Sequence, residues 1–396
     1  MSEIRFFPED LEISNQRVIL RLDLNVPIKD RLIKDETRIT LCLPFINKLI
    51  EKKAKIIIIS HLGRPNGTKD PDLSLIPIYK YLKEKLKTNV YFFRGVFDNQ
   101  TKKKFSHLKE GEVILIENIR YFREETNDDE DFSKKLGALG DIYINDAFSC
   151  SHRKQASVHN ITKYVERNYA GPILKKEITA INLIIKNKKE PVTCIIGGSK
   201  ISTKINVITN LIKKVNNLII VGAMANNFFI YKNLKIGKSL FEKDTKKIIE
   251  AIYKKAEENS CKIIIPEDCK VGDNFKGQGK DKDLNDIKDE EIILDIGENT
   301  IKNICKVIDQ SNTVFWNGPA GYFENENFAK GTLSIAEKIS KNTTEKSLIS
   351  IIGGGDTLAA INKCKTKLSF SHLSTAGGAF LEYLEGKDLP GISVLK

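Results

Sequence analysis

Short runs of β-branched and other apolar residues recur along the chain. Each ends in a polar or glycine-rich turn, and most are followed by a longer stretch with helical spacing. In the first half the runs are Val18–Leu24, Lys55–Ile59, Val90–Phe93, Val113–Ile116 and Ile142–Ile144. In the second they are Val192–Ile196, Leu218–Val221, Lys262–Ile265, Thr313–Trp316, Leu348–Ile352 and Leu368–Ser371. A continuous apolar run such as Ile56-Ile57-Ile58-Ile59 suits a strand buried on both faces, which means parallel strands covered by helices. Alternating strand and helix then predicts an α/β protein with right-handed crossovers. Residues Tyr169–Asn187 set Lys175, Lys176 and Glu177 against Ile178, Ile181 and Ile184, which predicts a helix joining the two halves.

A chain of 396 residues, 41% hydrophobic and 29% charged, is too long for one ordinary core and fits two domains. The formal charge of +12 raises nucleic acid or an anionic membrane as a partner. Residues 1–170 carry 30 basic and 25 acidic side chains, and residues 171–396 carry 34 and 27, so the excess is spread evenly. An even spread of lysine favours a solvated surface over a nucleic-acid-binding module. The seven cysteines include no C-x-x-C pair, which predicts reduced, mostly buried thiols. The first ten residues hold three acids and no apolar core of a signal peptide, and no apolar run is long enough to cross a bilayer, so the expected location is cytoplasmic.

Charge type is segregated more sharply than charge sign. All eleven arginines lie within the first 167 residues, whereas the glycine runs Gly197-Gly198, Gly353-Gly354-Gly355 and Gly377-Gly378 all lie beyond them. Arginine grips phosphate or carboxylate with a rigid fork; a glycine run before a helix lets backbone N–H groups close around a polyphosphate. In open parallel sheets ligands bind beyond the carboxyl ends of the strands. Four strand ends in the first half deliver Asp23, Asn25, His61, Arg64, Arg120 and Arg153 to one edge. In the second half the strand ends read Gly197–Lys204, Gly222–Ala225, Asn317–Gly321, Gly353–Thr357 and Ser374–Gly378. Lys200 and Lys204, four apart, are expected on one helix face near a phosphate chain. Asp356 reads either as a helix N-cap or as a ligand for Mg²⁺ on a nucleotide. No G-x-x-x-x-G-K-[ST] and no G-x-G-x-x-G after a strand is present, so neither a P-loop protein nor a nicotinamide dehydrogenase is supported.

The motifs RLDLNVP (Arg21–Pro27), SHLGRP (Ser60–Pro65), ENIRYF (Glu117–Phe122), NDAFSCSHR (Asn145–Arg153), GGSKISTK (Gly197–Lys204), WNGPAGYFE (Trp316–Glu324), GGGDT (Gly353–Thr357) and STAGGAFLEYLEGK (Ser374–Lys387) together resemble the phosphoglycerate kinase family, in order and spacing, over essentially the whole chain. The resemblance implies two Rossmann-like, doubly wound parallel-sheet domains joined by an interdomain helix. It implies a 3-phosphoglycerate domain over 1–170, a helix over 171–187 and a nucleotide domain over 188–381, with the tail 382–396 returning to the first domain. It assigns Asp23, Asn25, His61, Arg64, Arg120 and Arg153 to 3-phosphoglycerate and Arg38 to the transferring phosphoryl group. Lys200, Lys204, Gly354 and Gly377 join Arg38 as catalytic candidates. The nucleotide is assigned to Gly198, Lys200, Lys204, Gly222, Ile293, Asn317, Glu324, Gly353, Gly354, Gly355, Asp356 and Thr357, with Asp356 holding Mg²⁺. Two departures stand out: Ala376 where many members have glycine, and Ile293 where glycine is frequent near the adenine.

The expected chemistry is direct in-line transfer between ATP and the carboxylate of 3-phosphoglycerate, giving 1,3-bisphosphoglycerate and ADP reversibly, in a monomer whose domains close. Positioning and electrostatics supply nearly all the acceleration of such a loose transition state, and no protein nucleophile is needed. A phosphohistidine route through His61, His152 or His372 is the enzymatic rival; a nucleic-acid-binding role using the +12 charge is the rival of another class.

Overall fold

Ile56, Ile57, Ile58 and Ile59 are all fully buried, as a strand sandwiched between helix layers requires. Each such side chain contributes about 1.5–3 kcal/mol of burial free energy, and only a sheet covered on both faces collects it from consecutive residues. The computed structural model of the protein describes residues 3–396. They form two compact units, one running to Ile178 and regaining Asp388–Lys396, the other Thr179–Lys387.

The first unit holds a six-stranded parallel sheet in the order Val90–Phe93, Val113–Ile116, Lys55–Ile59, Arg17–Arg21, Ile142–Asn145, Arg167–Ala170. The second holds another: Lys262–Ile264, Asn217–Ile220, Val192–Ile196, Thr313–Asn317, Ile349–Gly353, His372–Ser374. Numbered within its own unit, the second sheet runs 3-2-1-4-5-6, the order of dinucleotide-binding sheets, with its switch point between the strands ending at Ile196 and Asn317. The first runs 3-4-2-1-5-6, and its corresponding crevice lies where the strands ending at Arg21 and Asn145 adjoin. A small antiparallel sheet, Lys280–Asp283, Asp268–Gly272 and Ile292–Ile296, is added to the second unit and was not foreseen from the sequence.

Three expectations are corrected. The joining helix spans Pro172–Ile185 rather than beginning at Tyr169, because Arg167–Ala170 is taken up as an edge strand, Tyr169 pairing with Ile144. Pro172 then opens the helix, where its fixed φ and missing N–H cost nothing, and buried Asp146 accepts the N–H groups of Ile173 (2.7 Å) and Leu174 (2.9 Å). The last strand is His372–Ser374 rather than Leu368–Ser371. Ser371 and Ser350 exchange side-chain hydrogen bonds with each other's backbone N–H ahead of the ladder, while Leu368 and Phe370 pack against the core. The chain returns to the first unit at Asp388 rather than 382, since Gly378–Leu384 is a helix of the second. The tail is fastened there by Arg5 N–H to Leu395 O (2.8 Å) and by Asn145 Nδ2 to Gly391 O (3.0 Å).

Candidate functional site

In the first unit the carboxyl ends of the strands carry the polar side chains. Arg38, in the first turn of the helix Thr37–Glu51, donates from one nitrogen to Asp23 Oδ2 (2.6 Å) and to the carbonyl of Asn25 (3.2 Å). Asn25 returns the bracing: its side-chain oxygen accepts Gly63 N–H (3.0 Å) and its own N–H donates to Asp23 Oδ1 (3.1 Å). His61 is buried, with Arg21 Nη2 at 3.4 Å and Cys150 Sγ at 3.8 Å from Nδ1. Burial, and then the fields of Arg21, Arg120, Arg153 and Arg38, hold its pKa well below the ordinary imidazole value. The ring is neutral; a guanidinium only donates, so Nδ1 is the acceptor and Nε2 carries the hydrogen.

Arg21 has no contact with solvent. Its Nε donates to Ser157 Oγ (2.9 Å), which in turn donates to Glu125 Oε1 (2.7 Å), while Ser157 N–H reaches Glu125 Oε2 (2.8 Å). The buried charge of Arg21 is thus faced by Glu125 through a bridging hydroxyl, as burial of ions demands. Arg120 is fastened to Gly63 O (2.8 Å) and Gln155 Oε1 (3.3 Å), and burial lowers its pKa to about 10, which leaves it charged at neutral pH. Its Nε, also buried, has no hydrogen-bond partner among the described residues. Arg153 donates from Nε to His152 Nε2 (3.2 Å). Arg64 is exposed and stands apart from this bonded network. A wider, open cavity of about 980 Å³ lies elsewhere in this unit, between Ile28–Arg31, Lys69–Pro77 and Tyr121, and none of the patch residues lines it.

The second unit builds its site from backbone. Lys204 Nζ donates to Gly197 O (2.6 Å) and Asn317 Oδ1 (2.9 Å), across the switch point of the sheet. Burial pushes the ammonium's pKa down to about 8, against the opposing effect of Cys194 and Asp356. Gly197 and Gly318 touch backbone to backbone: a Cβ on Gly197 would lie 2.3 Å from Pro319 O and one on Gly318 2.4 Å from Gly197 O. Gly354, at φ +96°, follows the strand and caps the helix Gly355–Ile361; a Cβ there would meet Asn317 Nδ2 at 2.8 Å. Thr357 Oγ1 accepts Gly318 N–H (2.7 Å) and ties the two glycine turns together. Gly377, at φ +52°, opens the helix Gly378–Leu384, a Cβ there would meet none of the described residues within 4 Å, and Ala376 before it is buried.

Lys200 and Lys204 do not share a helix face, contrary to the expectation. Lys200 is exposed in the turn before the helix, Lys204 caps that helix, and the first helical residue is Ile205. Asp356 is no N-cap either: the cap is Gly354, and the carboxylate sits exposed in the first turn without a hydrogen bond among the described residues. An exposed carboxylate left free of protein donors suits a hard cation such as Mg²⁺ carried on phosphates. Next to Asp356 a cavity of about 270 Å³ is lined by Gly198, Gly222, Ile293 and Glu324, with Phe229, Leu240, Phe275 and Tyr322 supplying apolar surface.

The sequence reasoning missed two sets of residues. Arg21, Glu125, Ser157 and Gln155 support the first site from beneath; the available signal was the charge of Arg21 inside an otherwise apolar run, since a buried arginine needs partners. The apolar wall of Phe229, Leu240, Phe275 and Tyr322 carried no signal, because such residues read as ordinary core.

The family model for phosphoglycerate kinase matches residues 9–387. The chain is similar to the phosphoglycerate kinase of Wolbachia pipientis wMel, 43% identical over 390 residues, covering 98% of each chain. Among solved structures it is similar to phosphoglycerate kinase from Coxiella burnetii, with a TM-score of 0.88 at 38% identity over 98% of this chain and 97% of that one. It is likewise similar to phosphoglycerate kinase from Pyrococcus horikoshii OT3, with a TM-score of 0.82 at 29% identity over 98% of each.

Proposed function

The chain belongs to the phosphoglycerate kinase family, and on that footing we propose that its first unit binds 3-phosphoglycerate, its second binds ATP or ADP, and a phosphoryl group passes directly between them. The observation that carries this reading is that each unit gathers groups suited to an anion, by a different device in each. Guanidiniums gather around a neutral histidine in one; a lysine and positive-φ glycines meet at a sheet switch point in the other.

Asp23, Asn25, His61, Arg64, Arg120 and Arg153 hold the three-carbon acid. Neutral His61 donates from Nε2 without adding charge, and Arg120 offers a buried Nε–H that has no other partner among the described residues. Arg38, braced by Asp23 and Asn25, presents its fork to the phosphoryl group. On the nucleotide side Gly198, Gly222, Ile293 and Glu324 line the base and ribose cavity. Gly353, Gly354, Gly355, Thr357 and Asn317 form the phosphate floor, with Gly377 at a second helix start. Lys204 follows the charge as it develops on the transferred oxygens, and Lys200 contributes a solvent-screened cation. Asp356 would hold Mg²⁺, which neutralises phosphate charge when bound. Because the ligands belong to separate units, transfer requires the units to bring them together and exclude water, as a dissociative phosphoryl transfer demands. We take the working enzyme to be a cytoplasmic monomer.

The test is phosphate exchange between ATP and 3-phosphoglycerate catalysed by the purified protein. Absence of exchange with Mg²⁺ present would overturn the assignment, and acid-labile phosphate on His61 or His152 would redirect it to a covalent route.

A further inference from the structure

Three strand ends of the first unit place three different metal-ligating groups together. Asp23 follows Arg17–Arg21, His61 follows Lys55–Ile59 and Cys150 follows Ile142–Asn145; a carboxylate oxygen, an imidazole nitrogen and the thiol sulfur all lie within 4.8 Å of one another. We propose that Asp23, His61 and Cys150 form a binding site for a thiophilic divalent cation of the zinc type, and that occupancy of this site excludes 3-phosphoglycerate from the arginine patch. Only the second half of this statement rests on the function proposed above.

The sulfur–nitrogen pair lies close to the spacing of tetrahedral coordination. Metal–sulfur and metal–nitrogen bonds of about 2.3 and 2.0 Å at tetrahedral angles place S and N about 3.5 Å apart, and Cys150 Sγ stands 3.8 Å from His61 Nδ1. Nδ1 receives only long contacts, from Arg21 at 3.4 Å and from the Cys150 sulfur at 3.8 Å among the described residues, and a metal bound between sulfur and nitrogen would replace both. Asp23 keeps capacity as well: among the described residues Oδ2 receives Arg38 and the Ser149 hydroxyl, whereas Oδ1 receives only Asn25 N–H. A carboxylate oxygen has two lone pairs, so Oδ1 retains one for a metal. Three protein ligands leave a fourth position open, the arrangement of exchangeable zinc sites.

Charge balance sets both the selectivity and the strength. On binding, the Cys150 S–H bond breaks, a sulfur–metal bond forms and the proton leaves to water. Thiolate and carboxylate then cancel the two positive charges of the ion. Burial and Asp23 hold the thiol protonated in the free protein, while Arg21 and Arg120 favour the thiolate that the metal needs. The same arginines, with Arg38 and Arg153, repel a cation, so the site is weaker than a closed structural zinc site. Thiolate with imidazole selects zinc or cadmium over magnesium, which prefers oxygen. The Mg²⁺ of the nucleotide therefore does not compete. Exclusion of the acid follows from shared residues, since Asp23 and His61 cannot serve metal and 3-phosphoglycerate at once.

The experiment uses the full chain without nucleotide. Cadmium is titrated while the thiolate-to-metal absorption is followed, and 3-phosphoglycerate binding is measured calorimetrically with and without zinc chloride. Cys150→Ser is compared with the parent, with Cys150→Ala as a second variant in case one folds poorly and Cys42→Ser as a buried-thiol control. The expected results are a cadmium absorption step of one equivalent present in the parent and in Cys42→Ser, and absent from the Cys150 variants. Zinc is expected to weaken 3-phosphoglycerate binding in the parent, with the zinc concentration needed rising at least about tenfold in the Cys150 variants. Equal cadmium titrations in parent and Cys150 variants, or metal binding that leaves 3-phosphoglycerate affinity untouched, would overturn the proposal. Failure of 3-phosphoglycerate to bind without any zinc would sink the functional reading instead, with the cadmium titration still judging the metal site.

Discussion

On the function proposed above, the two units solve one problem, holding an anion at the end of a parallel sheet, with opposite materials. In the first, the binding groups are side chains, and each needs a second tier to hold it: Arg38 needs Asp23, Arg120 needs Gln155 and Gly63 O, and Arg21, facing His61, needs Ser157 and Glu125. In the second, the binding groups are largely backbone N–H and helix starts, and the supporting tier is the absence of side chains at Gly197, Gly318 and Gly354. A site made of forks is exact in direction but costly to bury; a site made of backbone is cheap to bury but tolerates no Cβ. The comparison predicts that the first unit fails by losing partners and the second by gaining atoms.

The sharpest break comes at the reaction centre. Arg38→Lys keeps a charge and loses the fork, so kcat should fall by about 10²–10³ with a smaller change in the KM for 3-phosphoglycerate; unchanged turnover would remove Arg38 from the phosphoryl group. In the second unit, two adjacent glycines separate the backbone argument from general disruption. Gly354→Ala drives a Cβ into the Asn317 amide from a positive-φ position, whereas Gly355→Ala meets nothing within 4 Å of protein. Gly354→Ala is therefore expected to lose about 1–3 kcal/mol of stability together with nucleotide binding. Gly355→Ala should keep its melting temperature and weaken only the nucleotide, and a stability loss of equal size in both would contradict the distinction.

Asp356→Asn should weaken Mg-ADP binding by about tenfold and spare 3-phosphoglycerate, as calorimetry with each ligand alone would reveal. Ser157→Ala removes the hydroxyl between Arg21 and Glu125 and is expected to cost about 1–3 kcal/mol in urea unfolding. It should also raise the KM for 3-phosphoglycerate while leaving that for ATP alone. The smallest effect is on pH dependence. Lys204, with its folded pKa near 8, binds fewer protons folded than unfolded between about 8 and its ordinary 10.5. Stability should accordingly rise with pH across that window while kcat falls through pH 8. Asp146 and Asp295, one buried acid in each unit, are lifted by burial to about 7. The folded chain holds more protons there than the unfolded one, so their contribution to stability declines as pH rises from about 4 to 7. Asp295→Asn should flatten that decline in part.

The contrast also explains which parts were legible beforehand. The glycine turns and Asp23, Asn25, His61 and Arg120 lie within a few residues of the ends of apolar runs, and Arg153 follows its strand after one further turn, so the rule that ligands bind beyond strand ends points to them from one dimension. Four residues is about one helical turn, so the spacing of Lys200 and Lys204 predicts helical neighbours. The chain instead spends Ile201–Thr203 in a turn, where Ser202 bonds to Glu242, forty residues away, and starts its helix at Ile205.

By itself, the sequence determined the alternation of buried strands and covering helices, the division into two units, and the segregation of arginine from glycine runs, because these depend on local pattern and on the chain's order. Tertiary structure alone decided that Arg21 lies buried behind His61 and is braced through Ser157 by Glu125. It also brought Cys150 within reach of His61 and Asp23, and made Arg167–Ala170 an edge strand. Each of these depends on residues dozens of positions apart sharing a low-dielectric space, where pairing is enforced by the cost of leaving a charge or a backbone hydrogen bond unmet.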